Sequence, residues 1–106
     1  MAWSIEYKDL AKEDLRKLDN SQRIQVLKAI EKVSQNPLPD FEGGYGKPLS
    51  NRAVSQLAGY CKIKLRKSGL RVVYGLVREQ EVMKIVVVSI RDDAAVYKIA
   101  EKRTKE

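Results

Sequence analysis

Between Gly59 and Tyr74, in GYCKIKLRKSGLRVVY, apolar and polar residues alternate with a period of two, broken once by a Ser-Gly pair. Cys61, Ile63 and Leu65 point to one side of an extended strand, and Tyr60, Lys62, Lys64 and Arg66 to the other. A two-residue loop at Ser68-Gly69 turns the stretch into a β-hairpin. Lys67 then faces Leu70, Arg66 faces Arg71, Leu65 faces Val72, Ile63 faces Tyr74 and Cys61 faces Leu76. One face is apolar; the other carries Lys62, Lys64, Arg66 and Arg71, with Gly75 across from Lys62 leaving open space. A slip of one residue would push Arg71 in among the apolar side chains, which favours this loop.

Upstream, Trp3, Ile5 and Tyr7 alternate with Ser4, Glu6 and Lys8, which predicts a short first strand. Asp9 is placed to cap a helix running to about Leu18, with Ala11, Leu15 and Leu18 as its apolar stripe. Asp19-Asn20-Ser21 makes a turn and a second cap, and a longer helix to about Gln35 has Ile24, Leu27, Ile30 and Val33 as its buried face. Two amphipathic helices with so short a link predict a helical hairpin laid on a sheet. Pro37 and Pro39 stop the second helix, since proline cannot continue its hydrogen bonding. From there to about Ala58 the chain is expected to be irregular. The run Gly43-Gly44-Tyr45-Gly46 lacks the strand-to-helix setting and the following Lys-Ser/Thr of a phosphate cradle, so a surface loop fits it better.

Beyond the hairpin, Arg78 to Glu81 form a polar turn into VMKIVVVSI (residues 82–90), whose nearly unbroken apolar run predicts a strand covered on both faces. Arg91 ends it. Asp92 or Asp93 caps a last helix from Ala94 to about Lys105, with Val96, Ile99 and Ala100 packing inward. The order β-α-α-β-β-β-α over residues 1–106 predicts a single α+β domain. Its small antiparallel sheet has an N-terminal helical hairpin and a C-terminal helix packed on it.

Charge sharpens this picture. The net charge is +7, and it is lopsided: residues 1–55 carry +1 and residues 56–106 carry +6. Four cations on one sheet face are either solvated or matched to something anionic, because directly opposed like charges destabilise a strand pair. A phosphate-bearing ligand or an acidic protein would both suit the basic half. Histidine is absent, which removes the commonest acid–base residue and the commonest metal ligand together. The one cysteine, Cys61, falls on the core face of its strand, where it reads as structural. No apolar run is long enough to span a bilayer and no signal peptide is seen, so the expected location is the cytoplasm.

The candidate chemistry lies in Lys62, Lys64 and Arg71 on the hairpin, Arg91 at the end of the next strand and Tyr97 beyond it. A three-residue loop at Glu79-Gln80-Glu81 would place Arg91 on the face of Arg71; a four-residue loop would not. Otherwise Arg91 is a snorkelling strand end and Tyr97 a half-buried helix residue. Fixed cations aimed at a phosphate stabilise negative charge that grows on it. Neighbouring Lys62, Arg66 and Arg71 disfavour the charged form of Lys64. Asp92-Asp93 is the only carboxylate pair near the site, too poor a ligand set for a metal, so no cofactor is expected.

The chain resembles the RelE toxins of bacterial and archaeal toxin–antitoxin systems, within the wider RelE/ParE superfamily. The resemblance runs through the first strand and helical hairpin, Lys47-Pro48-Leu49, GYCKIKLRKSGLRVVY, the VVVSI strand and RDDAAVY. Its most specific part is Lys62-x-Lys64, with Arg71 nine residues after Lys62 and Arg91 six before Tyr97. The resemblance implies a metal-independent ribonuclease that cuts messenger RNA in the ribosomal A site. It implies Lys64 as general base toward the 2′-hydroxyl, and Lys62 and Arg71 as holders of the scissile phosphate. It further implies Arg91 as general acid or charge stabiliser at the 5′-oxygen, and Tyr97 as an aromatic that stacks on or orients the nucleotide. Arg66 and Lys67 are expected to add RNA phosphate contacts. The implied partners are an acidic RelB-like antitoxin, messenger RNA, and the ribosome with its 16S rRNA. The chain departs from the commoner pattern in following Arg91 with Asp92-Asp93 rather than basic residues, and in a longer segment between Pro37 and Lys62. The alternative is a ParE-like protein that inhibits DNA gyrase by binding, without nuclease activity; a non-catalytic RNA-binding module would want interleaved exposed aromatics that the strand lacks.

Overall fold

A computed structural model of the chain describes residues 2–49 and 59–104. In chain order the elements are β1 (Ser4–Tyr7), α1 (Asp9–Lys17), α2 (Asn20–Val33), β2 (Lys47–Pro48), β3 (Cys61–Leu65), β4 (Leu70–Val77), β5 (Val82–Ser89) and α3 (Asp93–Thr104). The expected α+β order is present, with the two-residue β2 added ahead of the hairpin. Residues 50–58 of the expected irregular segment, and the expected helix end at Lys105, lie outside the described residues. The sheet order is β1-β5-β4-β3-β2. It is mixed rather than antiparallel throughout: the helical hairpin carries the chain away from β1, and β5 later pairs with β1 in parallel.

α1 and α2 cover one face of the sheet, where Ala11, Val26, Ile30 and Val33 pack on Ile63, Val72, Tyr74 and Met83. α3 covers part of the other, with Val96 and Ala100 on Val73, Val86 and Val87. β5 therefore has apolar side chains in both layers, as its unbroken apolar run predicts. Burial also pushes the Cys61 thiol up from its ordinary range, as befits a core cysteine.

α2 is rotated from the expected face. Ile24 and Leu27 are 45% and 39% exposed, and the buried stripe is Val26, Ile30 and Val33. Arg23 supplies the reason. Its Nε donates to Leu15 O at 3.0 Å and its Nη2 to Leu18 O at 2.7 Å, so it caps carbonyls at the C-terminal end of α1. Asp19 caps α2 reciprocally with Gln22, as expected of that turn. Asp9 is the first residue of α1 rather than its cap.

The hairpin register is two residues from the expected one. Leu65 pairs with Leu70, Lys64 with Arg71, Ile63 with Val72, Lys62 with Val73 and Cys61 with Tyr74. The loop is residues 66–69, closed by Gly69 at φ +74 donating its N–H to Leu65 O at 2.8 Å. A shift of two keeps every side chain on its predicted face, but it moves Arg66 off the strand into the loop. Gly75 leaves no open space either: a β-carbon there would lie 2.8 Å from the Tyr60 ring.

The turn from β4 to β5 has four residues, 78–81, because Val77 pairs with Val82. By alternation alone this would send Arg91 to the wrong face. A β-bulge intervenes: Tyr74 pairs with Ile85 but Val73 pairs with Val87, leaving Val86 as the extra residue. Val86 and Val87 then share the α3 side, Ser89 falls opposite Arg71, and the phase is restored. Past the end of β1, a side-chain pair takes over the free edge of β5. Arg103 donates to Asp14 at 2.7 and 3.1 Å and to Val86 O at 2.8 Å, while Val88 N–H donates to Asp14 Oδ2 at 3.0 Å.

The glycine-rich loop is packed against the core. Tyr74 donates its hydroxyl proton to Pro37 O at 2.8 Å, and a β-carbon on Gly46 would lie 2.2 Å from that hydroxyl oxygen. Gly46→Ala is therefore expected to destabilise the protein by about 1–3 kcal/mol through overpacking, measured by urea unfolding. Asp14→Ala strands both Arg103 and the Val88 N–H; it should cost about 2–3 kcal/mol and speed hydrogen exchange at the Val88 amide.

Candidate active site

Lys62 and Lys64 stand on the α3 face of β3 because their neighbours Cys61 and Ile63 are drawn into the opposite core. The register puts Lys64 directly across from Arg71. α3 packs through Val96 and Ala100 over the middle of the sheet, so its first turn overhangs these cations. Asp92 is the helix cap: its Oδ1 accepts from Ala95 N–H at 2.9 Å. Asp93, one residue on, is thereby left free to turn its carboxylate toward the hairpin.

That carboxylate joins the site. Arg71 Nε donates to Asp93 Oδ1 at 2.5 Å, and Lys62 Nζ lies 3.5 Å from Asp93 Oδ2. Arg71 Nη1 donates to Gly69 O at 3.0 Å and Arg91 O at 2.7 Å. Two of the three guanidinium nitrogens are thus committed, and among the described residues Nη2 has no protein acceptor. Lys62 donates to the Tyr97 hydroxyl at 2.9 Å while standing 5.6 Å from the ring centroid, so it sits off the hydroxyl end and not over the ring face. The Tyr97 ring itself is half-buried against the Val73, Val86 and Val87 side of the core.

The electrostatics follow from these contacts. The Tyr97 hydrogen bond, helped by the Asp93 charge, outweighs partial desolvation and holds the Lys62 ammonium above its ordinary range. Partial burial pushes the Asp93 carboxyl up, but the Arg71 hydrogen bond and the charges of Lys62, Lys64 and Arg71 outweigh it and leave the group below the usual carboxylate range. Lys64 is exposed and makes no ion pair among the described residues. Of the residues singled out in the sequence, Lys62 is hydrogen-bonded to Tyr97 and joined to Arg71 through the Asp93 carboxylate, and Lys64 stands across from Arg71. Arg91 meets the cluster through its carbonyl and lines a shallow depression with Asp92, Ala95 and Lys98 beside it. Arg66 and Lys67 sit in the hairpin loop, where with Lys28 of α2 they continue the basic surface outward from Lys64.

Lys28 and Asp93 were not anticipated. Lys28 carries no local signal, being one of several polar positions on an exposed helix face. Asp93 did carry one: a like-charged sheet face calls for an anion, and a carboxylate near in sequence was available to supply it. Among the described residues no three carboxylates or thiols gather as a metal site.

No protein-family model matches the chain. It is 31% identical over 103 residues to the mRNA interferase toxin RelE of Escherichia coli strain K12, covering 97% of this chain and 98% of that one. A mutant of the E. coli toxin RelE in the free state superposes with a TM-score of 0.75 at 28% identity, covering 97% of this chain and 98% of that chain. The same mutant in complex with a peptide of the antitoxin RelB gives 0.71 at 28% identity, over 94% and 95% of the two chains.

Tyr97→Phe removes the hydroxyl and leaves the ring. It is expected to lower the Lys62 ammonium pKa, because the hydrogen bond that favours the charged form is lost. Side-chain nitrogen NMR of Lys62 across an alkaline titration measures the shift; an unmoved titration would show that the bond is not made in solution.

Proposed function

The chain belongs to the RelE family of toxins, and from that membership and the geometry of the site we infer that it is the toxin of a type II toxin–antitoxin pair and an endoribonuclease that cuts messenger RNA. One observation carries the catalytic part: Lys62, Lys64 and Arg71 converge at one open end of the sheet beside Tyr97, with no histidine anywhere in the chain. We place the cut in the ribosomal A site, where the ribosome aligns the message over this exposed cluster.

In this mechanism Lys64, once deprotonated, takes the proton of the ribose 2′-hydroxyl. The 2′-oxygen attacks the adjacent phosphorus and the bond to the 5′-oxygen breaks. Arg71, through its uncommitted Nη2, and Lys62 meet the negative charge that grows on the phosphoryl oxygens. A guanidinium does not give up its proton in a protein, so Arg91 stabilises charge at the leaving oxygen instead of acting as an acid. Tyr97 stacks on or orients the nucleotide, and Arg66 and Lys67 hold flanking phosphates. Fixed cations take the part a metal would otherwise play, so the reaction is metal-independent. The neutralising partner is a RelB-like antitoxin whose acidity matches the +6 of residues 56–106. Among the described residues no helix is long and apolar enough to cross a membrane; the site of action is the cytoplasm, with the ribosomes.

Primer extension on translated messages after brief expression should show discrete cuts. Intact messages beside gyrase-linked DNA damage would instead favour a ParE-like inhibitor. The base role is tested by Lys64→Arg, which keeps the charge but cannot lose a proton. Single-turnover cleavage is expected to slow by on the order of a hundredfold or more with ribosome affinity unchanged. A variant within about tenfold of the parent removes Lys64 from that role. Arg71→Lys is the companion, expected to weaken phosphate stabilisation with its charge still present.

A further inference from the structure

The like-charged sheet face already has an anion. Asp93 Oδ1 accepts from Arg71 Nε and Oδ2 lies 3.5 Å from Lys62 Nζ, so one carboxylate spans the two cations assigned to the scissile phosphate. Two oxygens bridging an ammonium and a guanidinium are what a bound phosphate would present. The side chain that provides them is 36% exposed and sits at the first position of α3, outside the buried Val96 and Ala100 that pack the helix on the sheet. Asp92 keeps the cap whichever way Asp93 points. Lys62 and Arg71 are 19% and 18% exposed and stay on the sheet, so Asp93 is the more exposed and exchangeable member of the arrangement.

We propose that Asp93 determines substrate choice by holding the phosphate's place on Lys62 and Arg71, so that loosely associating RNA is turned away and only RNA aligned by the ribosome displaces it. This rests on the nuclease assignment above and deepens it. Free RNA must compete with a carboxylate tethered beside both cations, and its apparent affinity falls by the fraction of time the site is open. RNA held in register by a larger assembly meets the same competitor with its phosphate already in place, and Asp93 swings out.

The test compares the parent with Asp93→Asn, using a single-stranded 2′-O-methyl oligoribonucleotide, which binds but cannot be cut because its 2′-oxygen is blocked. Asp93→Asn should bind it about tenfold more tightly, as expected if the site is about nine-tenths closed in the parent. The slope of log affinity against log salt should steepen by about 0.7, one added phosphate contact on a single strand. Cleavage of free unmodified RNA should rise relative to cleavage on ribosomes by a similar factor. Asp93→Ser carries the same expectations, should the first variant fold poorly. Glu79→Gln, an exposed change of equal charge away from the site, separates local release from a general rise in net charge and should alter binding by less than about threefold. Affinity within about threefold of the parent, or weaker, overturns the proposal. So does unchanged oligonucleotide binding with slower cleavage on ribosomes, which would make Asp93 a positioning partner of Arg71. Failure of the nuclease assignment shows itself separately, as parent protein that makes no cuts on ribosomes; the binding comparison still decides the role of Asp93 in that case.

Discussion

The site depends on one extra residue in β5. Without the bulge at Val86, the four-residue turn after β4 would leave β5 out of phase with the hairpin, and Arg91 would emerge on the helical-hairpin side. With it, Val86 and Val87 both face α3 and give that helix an apolar bed, Ser89 falls opposite Arg71, and the chain reaches Arg91 with its carbonyl at Arg71 Nη1. A bulge disturbs the ladder and leaves edge groups without strand partners. Here Asp14 and Arg103 take up Val88 N–H and Val86 O on either side of the irregularity. The same pair ties α1 to the far end of α3. Side-chain exposures of 13% and 16% put it largely out of solvent, where breaking either half costs more than an exposed pair would.

Charge imposes the second constraint. Lys64 directly across from Arg71 is a pairing that strands ordinarily avoid. Asp93 relieves it, and so does the division of labour within Arg71, whose Nε and Nη1 are held by the protein while Nη2 has no acceptor among the described residues. An arginine so held presents one defined edge outward. Its fork is pre-organised, and less freedom is lost when a phosphate arrives.

Much of this was legible in the sequence because period and parity survive small errors. The hairpin register is off by two, yet Cys61, Ile63 and Leu65 stay in the core and Lys62 and Lys64 stay on the other face, since a shift of two preserves sides. Arg66 and Lys67 change their setting, from strand to loop. The VVV run hid the bulge: when apolar residues fill both faces, nothing in the pattern marks where one side is used twice. The rotation of α2 was hidden for a related reason. Ile24 and Leu27 complete an apolar stripe as well as Val26 does, and what decides between them is Arg23 reaching back to the carbonyls of α1, a tertiary contact without local trace. The parallel pairing of β1 with β5 joins segments more than seventy residues apart, beyond what local pattern can specify. Asp92 and Asp93 were equivalent as caps in sequence; only the placement of α3 over the hairpin separates them, one to the helix end and the other to the cations.

These contacts make α3 a helix secured differently at its two ends. Arg103 and Asp14 fasten the C-terminal end beneath partial cover, with four hydrogen bonds that include the backbone of β5. Asp93 and Tyr97 fasten the N-terminal end to Lys62 and Arg71, through groups that are more exposed and that any phosphate or carboxylate can replace. A ligand at the site therefore trades contacts with the N-terminal end alone, while the C-terminal anchor fixes where that end returns. The cations are kept in place by the sheet, and the helix above them decides what they are allowed to hold.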